Sequence, residues 1–340
     1  MIRRIRTIDA HAAGEPLRLI VDGYPNPKGR TMLEKRAWVK RYHDRLRRAL
    51  IFEPRGHFDM YGAVLTEPER DDSHAGVLFM HNEGYSTMCG HGILAVVTIA
   101  VERGLLVLPE GEAGETTVVL DSPAGLIRAR ATLREHDGAT RVERVAFVNV
   151  PSFVLHPGLT VSLGSRRVPV DVAFGGAFYA IVDAEAAGLG LGKAHSILGA
   201  LREAGMQIKD AVESQVRVAH PLEPGLEGIY GTIFTGVPES PEADLRNVTV
   251  FADAQIDRSP CGTGTSAVMA VLDAMGVLAA DRPFTHESLV GTLFRGRVVE
   301  RTEVAEHPAI VPEIEGSAWI TGEHTFLIDD DDPLKIGFLL

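Results

Sequence analysis

Two cysteines carry the chemistry that the sequence suggests most directly. Each lies in a short glycine-rich turn, Met88-Cys89-Gly90-His91-Gly92 and Ser259-Pro260-Cys261-Gly262-Thr263-Gly264. An apolar segment of helical length follows each turn, which predicts that each thiol lies at a helix N-terminus. Backbone N–H groups and the positive end of the helix dipole lower the pKa of a thiol there, so that it could act as a base.

The same two turns could hold a carboxylate. The glycines beside each cysteine let a ligand approach the backbone N–H groups closely. Two such turns facing one cleft would place thiols on opposite sides of one carboxylate-bearing molecule, which suits inversion at carbon. One thiolate would remove the proton next to the carboxylate, and a protonated thiol would deliver a proton to the other face. The N–H donors would stabilise the carbanion, with no cofactor and no metal.

Two further side chains are candidate substrate ligands. Asp257, four residues before Cys261, could bind the substrate's ammonium group. His91, two residues after Cys89, could orient the carboxylate or a ring substituent.

Other interpretations of the cysteines are weaker. A lone free cysteine is commonly a small buried hydrophobe, but two in matched turns favour catalysis. A disulfide is unusual in a cytoplasmic protein. A zinc site from Cys89, His91 and Cys261 would need a fourth ligand and lacks the usual spacing. The glycines at 188, 190 and 192 do not have the spacing of a dinucleotide-binding loop.

Composition restricts the class of protein. The chain has 340 residues, and 34 Lys and Arg against 46 Asp and Glu give a net charge of −12, which argues against a nucleic-acid binder. The longest apolar stretch is too short to cross a membrane, and the basic N-terminal segment lacks the apolar run of a secretory signal. Few cysteines and no export signal predict a cytoplasmic location.

The elements that would position the cysteines form a weak internal repeat. The helices predicted at 90–102 and 262–275 are apolar nearly all round, and each follows an apolar strand. One copy in each half predicts two similar α/β domains, each a sheet around a central helix, with a boundary within 128–141. The predicted strands are 57–65, 77–81, 117–121, 145–150, 170–173 and 247–252.

A further helix is predicted over 33–50, where apolar residues recur every fourth position. Its other face is basic, and the acidic net charge favours a solvated face over a polyanion site. The residues of that face are Lys35, Arg36, Lys40, Arg41, Arg45, Arg47 and Arg48.

The two cysteine turns, the second extended back to Asp257, resemble the paired signatures of the proline racemase family. That family includes hydroxyproline 2-epimerases and trans-3-hydroxy-L-proline dehydratases. The resemblance extends along nearly the whole chain. Further segments that resemble the family are 55–60, 81–85, 175–179, 251–253 and 331–334.

The resemblance implies a fold and a site. The expected fold is α/β (α+β), with two pseudo-symmetric domains of the diaminopimelate-epimerase type and the active site in the cleft between them. Each domain would be a curved, mostly antiparallel sheet around a central helix, the first comprising 1–130 plus 322–340 and the second 135–318. The family uses neither pyridoxal phosphate nor a metal, and its members are usually homodimers.

The resemblance also assigns roles to residues. Cys89 and Cys261 would be the two acid/base thiols, and Asp257 would contact the substrate nitrogen. The carboxylate would lie against Gly90, His91, Gly262 and Thr263. The partner is a small imino acid, with no nucleic acid and no membrane.

The subgroup is set by one position. Segments 81–88, 170–183 and 230–234 look most like the dehydratases, which carry threonine at the position of Cys261. A hydroxyl there cannot readily deliver a proton, whereas a thiol restores the second donor. The expectation is therefore inversion at Cα of 4- or 3-hydroxyproline or of proline, with trans-3-hydroxy-L-proline dehydration as the alternative.

Tyr230 and Tyr85 are candidates to contact a ring hydroxyl, although a buried tyrosine bonded elsewhere is an equal interpretation. A non-catalytic imino-acid binder would have lost one of the proton-transfer positions. A dinucleotide oxidoreductase would need a phosphate loop that the chain does not show.

Overall fold

The computed structural model describes residues 2–108, 114–279 and 282–340. The helices are α1 (Met32–Tyr42), α2 (Asp44–Ile51), α3 (Gly90–Glu102), α4 (Ala184–Ala187), α5 (His195–Gln215) and α6 (Gly262–Ala274). The strands are β1 (Ile2–Ala12), β2 (Glu15–Asp22), β3 (Gly62–Thr66), β4 (Ala75–Met80), β5 (Glu115–Ser122), β6 (Gly125–His136), β7 (Ala139–Val148), β8 (Ser152–Leu163), β9 (Arg166–Phe174), β10 (Phe178–Asp183), β11 (Ile229–Gly236), β12 (Leu245–Phe251), β13 (Gln255–Ile256), β14 (Phe284–Glu287), β15 (Leu293–Val304), β16 (His307–Gly316) and β17 (Ala318–Asp329).

The chain divides into two compact units. Unit 1 comprises Met1–Phe147 with Gly316–Leu340, and unit 2 comprises Val148–Glu315. Sheet strands and buried helices occur in both, so the predicted mixed α/β class is confirmed. Five of the predicted strands overlap β4, β5, β7, β9 and β12. The strand predicted over 57–65 is shorter in the structure, where β3 begins only at Gly62.

The change of unit lies later in the chain than the sequence suggested. The segment 128–141 spans β6 and β7, and the turn between them has positive φ at Asp137 (52°) and Gly138 (74°). Positive φ at both central residues is typical of a tight hairpin turn. Thr140 Oγ1 donates to Glu135 Oε1 at 2.9 Å across it. The polar segment is therefore a turn inside unit 1, and the chain returns to that unit at Gly316.

The sheet of unit 1 surrounds α3. Strand β1 pairs antiparallel with β17 and β2, and β2 lies parallel to β3. Strand β3 is antiparallel to β4, β4 is parallel to β5, and β5 is antiparallel to β6. Helix α3 contacts β1, β2 and β17, and its residues 90–100 are all buried. A helix apolar on every side is stable only when neighbours cover it, as here.

Unit 2 repeats this order of pairings. Strand β9 is antiparallel to β8 and β10, β10 is parallel to β11, and β11 is antiparallel to β12. Strand β12 is parallel to β14, which is antiparallel to β15. Helix α6 contacts β8, β9 and β15, and its residues 262–271 are buried. The repeat suggested by the two cysteine turns is thus present in the strand order.

A buried carboxylate braces the same loop in each unit. After β3, the N–H groups of residues 69 and 70 donate to Asp121 Oδ2 at 2.7 and 3.0 Å. After β11, the N–H groups of residues 239 and 240 donate to Glu287 Oε2 at 2.6 and 3.2 Å. Asp121 and Glu287 lie in β5 and β14, which are matching strands of the repeat.

The single helix predicted over 33–50 is wrong. The chain leaves helical geometry at His43 (φ −132°, ψ 14°), which ends α1 and begins α2. The basic face is also not uniformly solvated, because Lys35 and Arg47 are buried. Lys35 Nζ donates to the carbonyl of Glu67 at 2.5 Å, so burial of the ammonium group is compensated by a hydrogen bond.

No described helix is both long and apolar enough to cross a membrane.

Candidate active site

Cys89 caps the N-terminus of α3. Its backbone is extended (φ −147°), and its Sγ accepts a hydrogen bond from the N–H of Gly92 at 3.2 Å. A Cβ on Gly92 would lie 2.8 Å from that sulfur and 2.5 Å from the ring of Phe79. Glycine is required at position 92 because a side chain would displace either the thiol or the ring.

His91 lies directly against the Cys89 sulfur. Its Nδ1 is 3.2 Å and its Nε2 is 3.5 Å from Sγ, and both side chains are buried. The ring of Tyr61 meets the His91 ring edge-on at 4.8 Å, and the Tyr61 hydroxyl donates to Ser86 Oγ at 2.6 Å. The sequence suggested that His91 contacts the substrate; in the structure its ring is also placed to exchange a proton with Cys89.

The loop before Cys89 is anchored by a buried arginine. Arg47 of α2 donates to the carbonyls of His81 and Asn82 at 2.6 and 2.5 Å, and it pairs with Asp44. Asn82 Oδ1 accepts the N–H of Asp59 at 2.9 Å. Arg47 therefore belongs to the support of the first cysteine turn, which its position on a basic helix face did not indicate.

Cys261 caps α6 with a different backbone. Its φ is +62°, a left-handed conformation that non-glycine residues seldom adopt. The turn is held from both sides: the N–H of Cys261 donates to Ser259 Oγ at 3.1 Å, and its carbonyl accepts from the N–H of Thr265 at 2.7 Å. Strain of this kind persists only where the surroundings fix it.

A buried histidine completes that support. Asn247 Nδ2 and Thr265 Oγ1 both donate to the carbonyl of Pro260, at 2.8 and 3.2 Å. The two side chains also contact His286, whose Nδ1 is 2.9 Å from Thr265 Oγ1 and whose Nε2 is 3.0 Å from Asn247 Nδ2. Complete burial lowers the pKa of His286 to about 3, so the ring is neutral at pH 7.

Asp257 lies close enough to Cys261 for its charge to affect the pKa of that thiol. Its Oδ1 accepts from the N–H and from the Oγ of Ser259, both at 2.7 Å. Burial raises the pKa of the Asp257 carboxyl to about 6, and the hydrogen bonds from Ser259 oppose that rise. Burial first, and then the charge of Asp257, raise the pKa of Cys261 to about 12. The expected lowering at a helix N-terminus is therefore wrong for Cys261, because desolvation outweighs the dipole.

Tyr179 of β10 is a site residue that the sequence did not single out. Its hydroxyl lies 2.6 Å from Thr263 Oγ1 and 3.6 Å from Cys261 Sγ, and Thr263 Oγ1 lies 3.8 Å from the same sulfur. The only sequence signal for Tyr179 is that it lies in the segment 175–179, which resembles the family, and that resemblance assigned no role to the tyrosine.

Tyr230 belongs to the same cluster. Its ring meets that of Tyr179 edge-on at 5.9 Å and stacks on Phe251 at 5.6 Å. Tyr85, the other tyrosine suggested for a ring hydroxyl, lies instead in the hydrophobic core of unit 1, with its hydroxyl 3.1 Å from that of Tyr24. For Tyr85 this position favours the other interpretation, a buried tyrosine bonded elsewhere.

The predicted site residues form two sets. Cys89, Gly90 and His91 are in unit 1; Asp257, Cys261, Gly262, Thr263 and Tyr230 are in unit 2. Among the residues that the structure describes, no three His, Cys, Asp or Glu side chains are grouped so that they could hold a metal ion. Each set offers a thiol beside the first N–H groups of a buried helix, which is an arrangement for binding an anion and moving a proton next to it.

The proline racemase family model matches residues 7–339. The chain belongs to the proline racemase family. It is 48% identical to a trans-3-hydroxy-L-proline dehydratase of Bacillus cereus over 98% of this chain and 97% of that protein. It is 43% identical to a proline racemase of Clostridioides difficile, over 99% and 98% of the two chains.

A solved structure of the family agrees with the fold. A hydroxyproline epimerase of Agrobacterium vitis with bound trans-4-hydroxy-L-proline superposes with a TM-score of 0.90 at 30% identity, covering 99% of this chain and 95% of that one. The chain is thus an enzyme of the proline racemase family, and the relatives of this family include isomerases as well as a lyase.

Proposed function

We propose that this member of the proline racemase family inverts Cα of 4-hydroxyproline, 3-hydroxyproline or proline by a two-thiol mechanism. The observation that carries the proposal is the thiol of Cys261 at the N-cap of α6, matched by Cys89 at the N-cap of α3. No pyridoxal phosphate and no metal enter the proposed steps.

The proposed mechanism moves one proton off Cα and another onto it. In one direction the Cys89 thiolate removes the Cα proton, and the charge flows into the substrate carboxylate. The thiol of Cys261 then gives its proton to the opposite face of Cα, which leaves Cys89 protonated and Cys261 as thiolate. Reversal of the roles inverts the other isomer, so the two thiols must reach opposite faces of one substrate.

The surroundings of Cys261 support its role as the acid. Because burial and Asp257 raise its pKa, the sulfur retains its proton until a strongly basic carbanion forms beside it. The carboxylate of the substrate would accept the N–H groups at the starts of both helices, with His91 and Thr263 beside them. Asp257 would bind the substrate's ammonium group, and that cation would favour the ionised form of its carboxyl.

The proposed substrate class rests on the relatives. The Agrobacterium vitis epimerase holds trans-4-hydroxy-L-proline, and the other two relatives are named for proline and for trans-3-hydroxy-L-proline. All three compounds are cyclic imino acids with a carboxylate on Cα. Tyr230 is the proposed contact for a ring hydroxyl, because it lies beside the Cys261 cluster. Homodimer assembly, which the family resemblance implies, and a cytoplasmic location, which the cysteine content and the N-terminal segment suggest, stay predictions.

Dehydration of trans-3-hydroxy-L-proline is the second candidate. It is favoured by the higher identity to the Bacillus cereus dehydratase, 48% against 43% for the racemase. In that reaction a base removes the Cα proton and the 3-hydroxyl departs as water after protonation. The resulting cyclic enamine tautomerises to an imine, and no proton is delivered to the opposite face of Cα.

Proton NMR in D2O separates the two candidates. The purified chain is incubated in parallel with trans-4-hydroxy-L-proline, trans-3-hydroxy-L-proline and L-proline. Inversion predicts loss of the Cα–H signal and appearance of the 2-epimer or the antipode carrying deuterium. An imine product from the 3-hydroxy substrate alone would establish the dehydratase, and inactivity on all three with reduced thiols would refute the substrate class.

Replacement of the second thiol tests the mechanism. Cys261→Thr removes the second proton donor, so inversion should fall about 10²- to 10⁴-fold while any dehydration persists or grows. Cys261→Ser controls for the added methyl group, and Cys89→Ser should abolish both reactions because it removes the proposed base. Inversion that survives Cys261→Thr would contradict the two-thiol mechanism.

A further inference from the structure

The hydroxyl of Tyr179 contacts the second thiol from inside unit 2. Tyr179 is fully buried in β10, and its hydroxyl lies between Thr263 Oγ1 and Cys261 Sγ, at 2.6 and 3.6 Å. The proposed mechanism does not use it. A buried polar group in direct contact with a reacting atom has a chemical consequence whenever the charge on that atom changes.

The Tyr179 hydroxyl keeps its proton. Burial and the nearby Cys261 raise its pKa well above the ordinary value for tyrosine. It is therefore a hydrogen-bond donor over the whole working pH range and not a proton source. Thr263 can donate its own hydroxyl proton to the phenol oxygen, which leaves the phenol proton free to point at sulfur.

We propose that Tyr179 is the positioning residue of the Cys261 thiolate: its hydroxyl donates to Sγ whenever the sulfur is charged, backed by the hydroxyl of Thr263. The inference deepens the proposed function and rests on it for the moment at which the charge forms. When Cys261 gives its proton to Cα, the S–H bond breaks and a C–H bond forms. The negative charge left on sulfur then accepts the Tyr179 O–H, whose proton stays on oxygen.

The proposed donor opposes a nearby negative charge. Burial and the charge of Asp257 disfavour the thiolate, and the contact with Tyr179 favours it. A thiol that must both give and accept a proton has to reach its thiolate form, and the contact with Tyr179 offsets part of the influences that oppose that form. Asp257 and Tyr179 reach the sulfur from different elements, the turn before α6 and strand β10.

Tyr179→Phe isolates the hydroxyl. Phenylalanine keeps the ring and its edge-on contact with Tyr230, so packing is retained. We expect kcat for inversion to fall about 10- to 100-fold with KM unchanged within about twofold, since a hydrogen bond to a charged group is lost. Tyr24→Phe is the matched control, because its hydroxyl contacts Tyr85 in the core of unit 1; its kcat should not change.

A second readout does not depend on turnover. The chain has two cysteines, so Cys89→Ser leaves Cys261 as the one thiol. Its alkylation by iodoacetamide, followed by mass spectrometry between about pH 7 and 10, measures the thiolate. Adding Tyr179→Phe should slow alkylation about tenfold at each pH, whereas adding Tyr24→Phe should leave the rate unchanged.

The two readouts separate the proposals. Slower alkylation together with a kcat loss supports the role of Tyr179. Unchanged alkylation with Tyr179→Phe overturns that role even if the enzyme inverts Cα, and so does a change confined to KM. If the wild-type chain does not invert any substrate but alkylation still slows, the contact with the thiolate stands and the proposed function fails alone.

Discussion

The two units repeat one order of strand pairings, but the cysteines at their buried helices have different neighbours. Cys89 has an extended backbone, accepts an N–H from Gly92 and touches the imidazole of His91. Cys261 has a left-handed backbone and lies among Tyr179, Thr263 and Asp257. The sheet order places a thiol at each helix start, and at Cys261 burial and the charge of Asp257 raise the pKa of that thiol.

The supports of the two turns differ in the same way. The residue before the loop-bracing carboxylate is Leu120 in unit 1 and His286 in unit 2. In unit 2 that histidine takes part in holding the cysteine turn, through Asn247 and Thr265. The stability of unit 2 is therefore expected to depend on the protonation of buried groups near its cysteine.

The largest expected effect on activity comes from replacing the second glycine after the cysteine in each turn, Gly92 or Gly264. A Cβ at Gly92 would lie 2.8 Å from Cys89 Sγ, and one at Gly264 would lie 2.9 Å from Cys261 Sγ. Gly92→Ala and Gly264→Ala should each lower kcat about 100-fold, because a displaced thiol no longer meets Cα in line.

Steady-state kinetics of both variants test whether the two turns are equally intolerant. Gly199→Ala is the control: it lies in α5, and apart from the adjacent backbone of that helix its Cβ position is surrounded by open space. That variant should keep its activity and gain up to about 1 kcal/mol of stability. Full activity in Gly92→Ala alone would show that only the second thiol needs its observed place.

An effect of about 2 kcal/mol is expected from His286. Its pKa is lowered in the folded chain, so the unfolded chain binds the proton first as pH falls below about 6.5. The free energy of unfolding therefore decreases as the pH is lowered. The contribution of His286 to this decrease is about 2 kcal/mol between pH 6.5 and pH 5. His286→Gln should be less stable at pH 7 but should show a flatter dependence over that range in urea titrations.

Asp257 should change the stability with pH in the direction opposite to His286. Its pKa is raised in the folded chain, so the folded chain holds the proton longer and stability rises as pH falls from about 6 toward 4. Asp257→Asn should thus make the acid-induced loss steeper than in the wild type. Equal slopes for wild type and both variants would show that neither buried group governs the pH response.

The smallest expected effect is a difference in stability between variants of the two buried carboxylates that brace the loops, Asp121 and Glu287. Asp121 and Glu287 each receive two backbone N–H groups on one oxygen, but Asp121 also binds the guanidinium of Arg70 at 2.5 Å through Oδ1. Asp121→Asn should cost about 2 kcal/mol and Glu287→Gln about 1, because an amide keeps an acceptor oxygen but presents an NH2 group to Arg70. Urea unfolding of both variants measures the difference, and the reverse order would contradict this account.

Much of the fold could be predicted from sequence. The apolar runs and the cysteine turns located α3 and α6 and the repeat, because a helix buried on all sides has a distinctive composition. The break at His43 could not be predicted, since the apolar spacing from Trp38 to Leu50 continues across it without glycine or proline. The segment 128–141 looked like a linker because polar hairpins and linkers share a composition.

The candidate site was predicted only where a motif marks it. Cys89, His91, Asp257 and Cys261 lie in two short segments, and spacing alone brought each set together. Tyr179 comes from a strand far along the chain, and His286 supports the Cys261 turn from another strand. Contacts between distant strands depend on sheet register, which a single sequence does not specify.

The pairing of β1 with β17 also sets an order of events during synthesis. Strand β1 is synthesised before unit 2, whereas its partner Ala318–Asp329 is synthesised after it. Unit 2 is one continuous stretch, Val148–Glu315, and all its strands are available before that. The nascent chain can therefore complete unit 2 while unit 1 still has an open strand edge, which closes only after Ala318–Asp329 has been made.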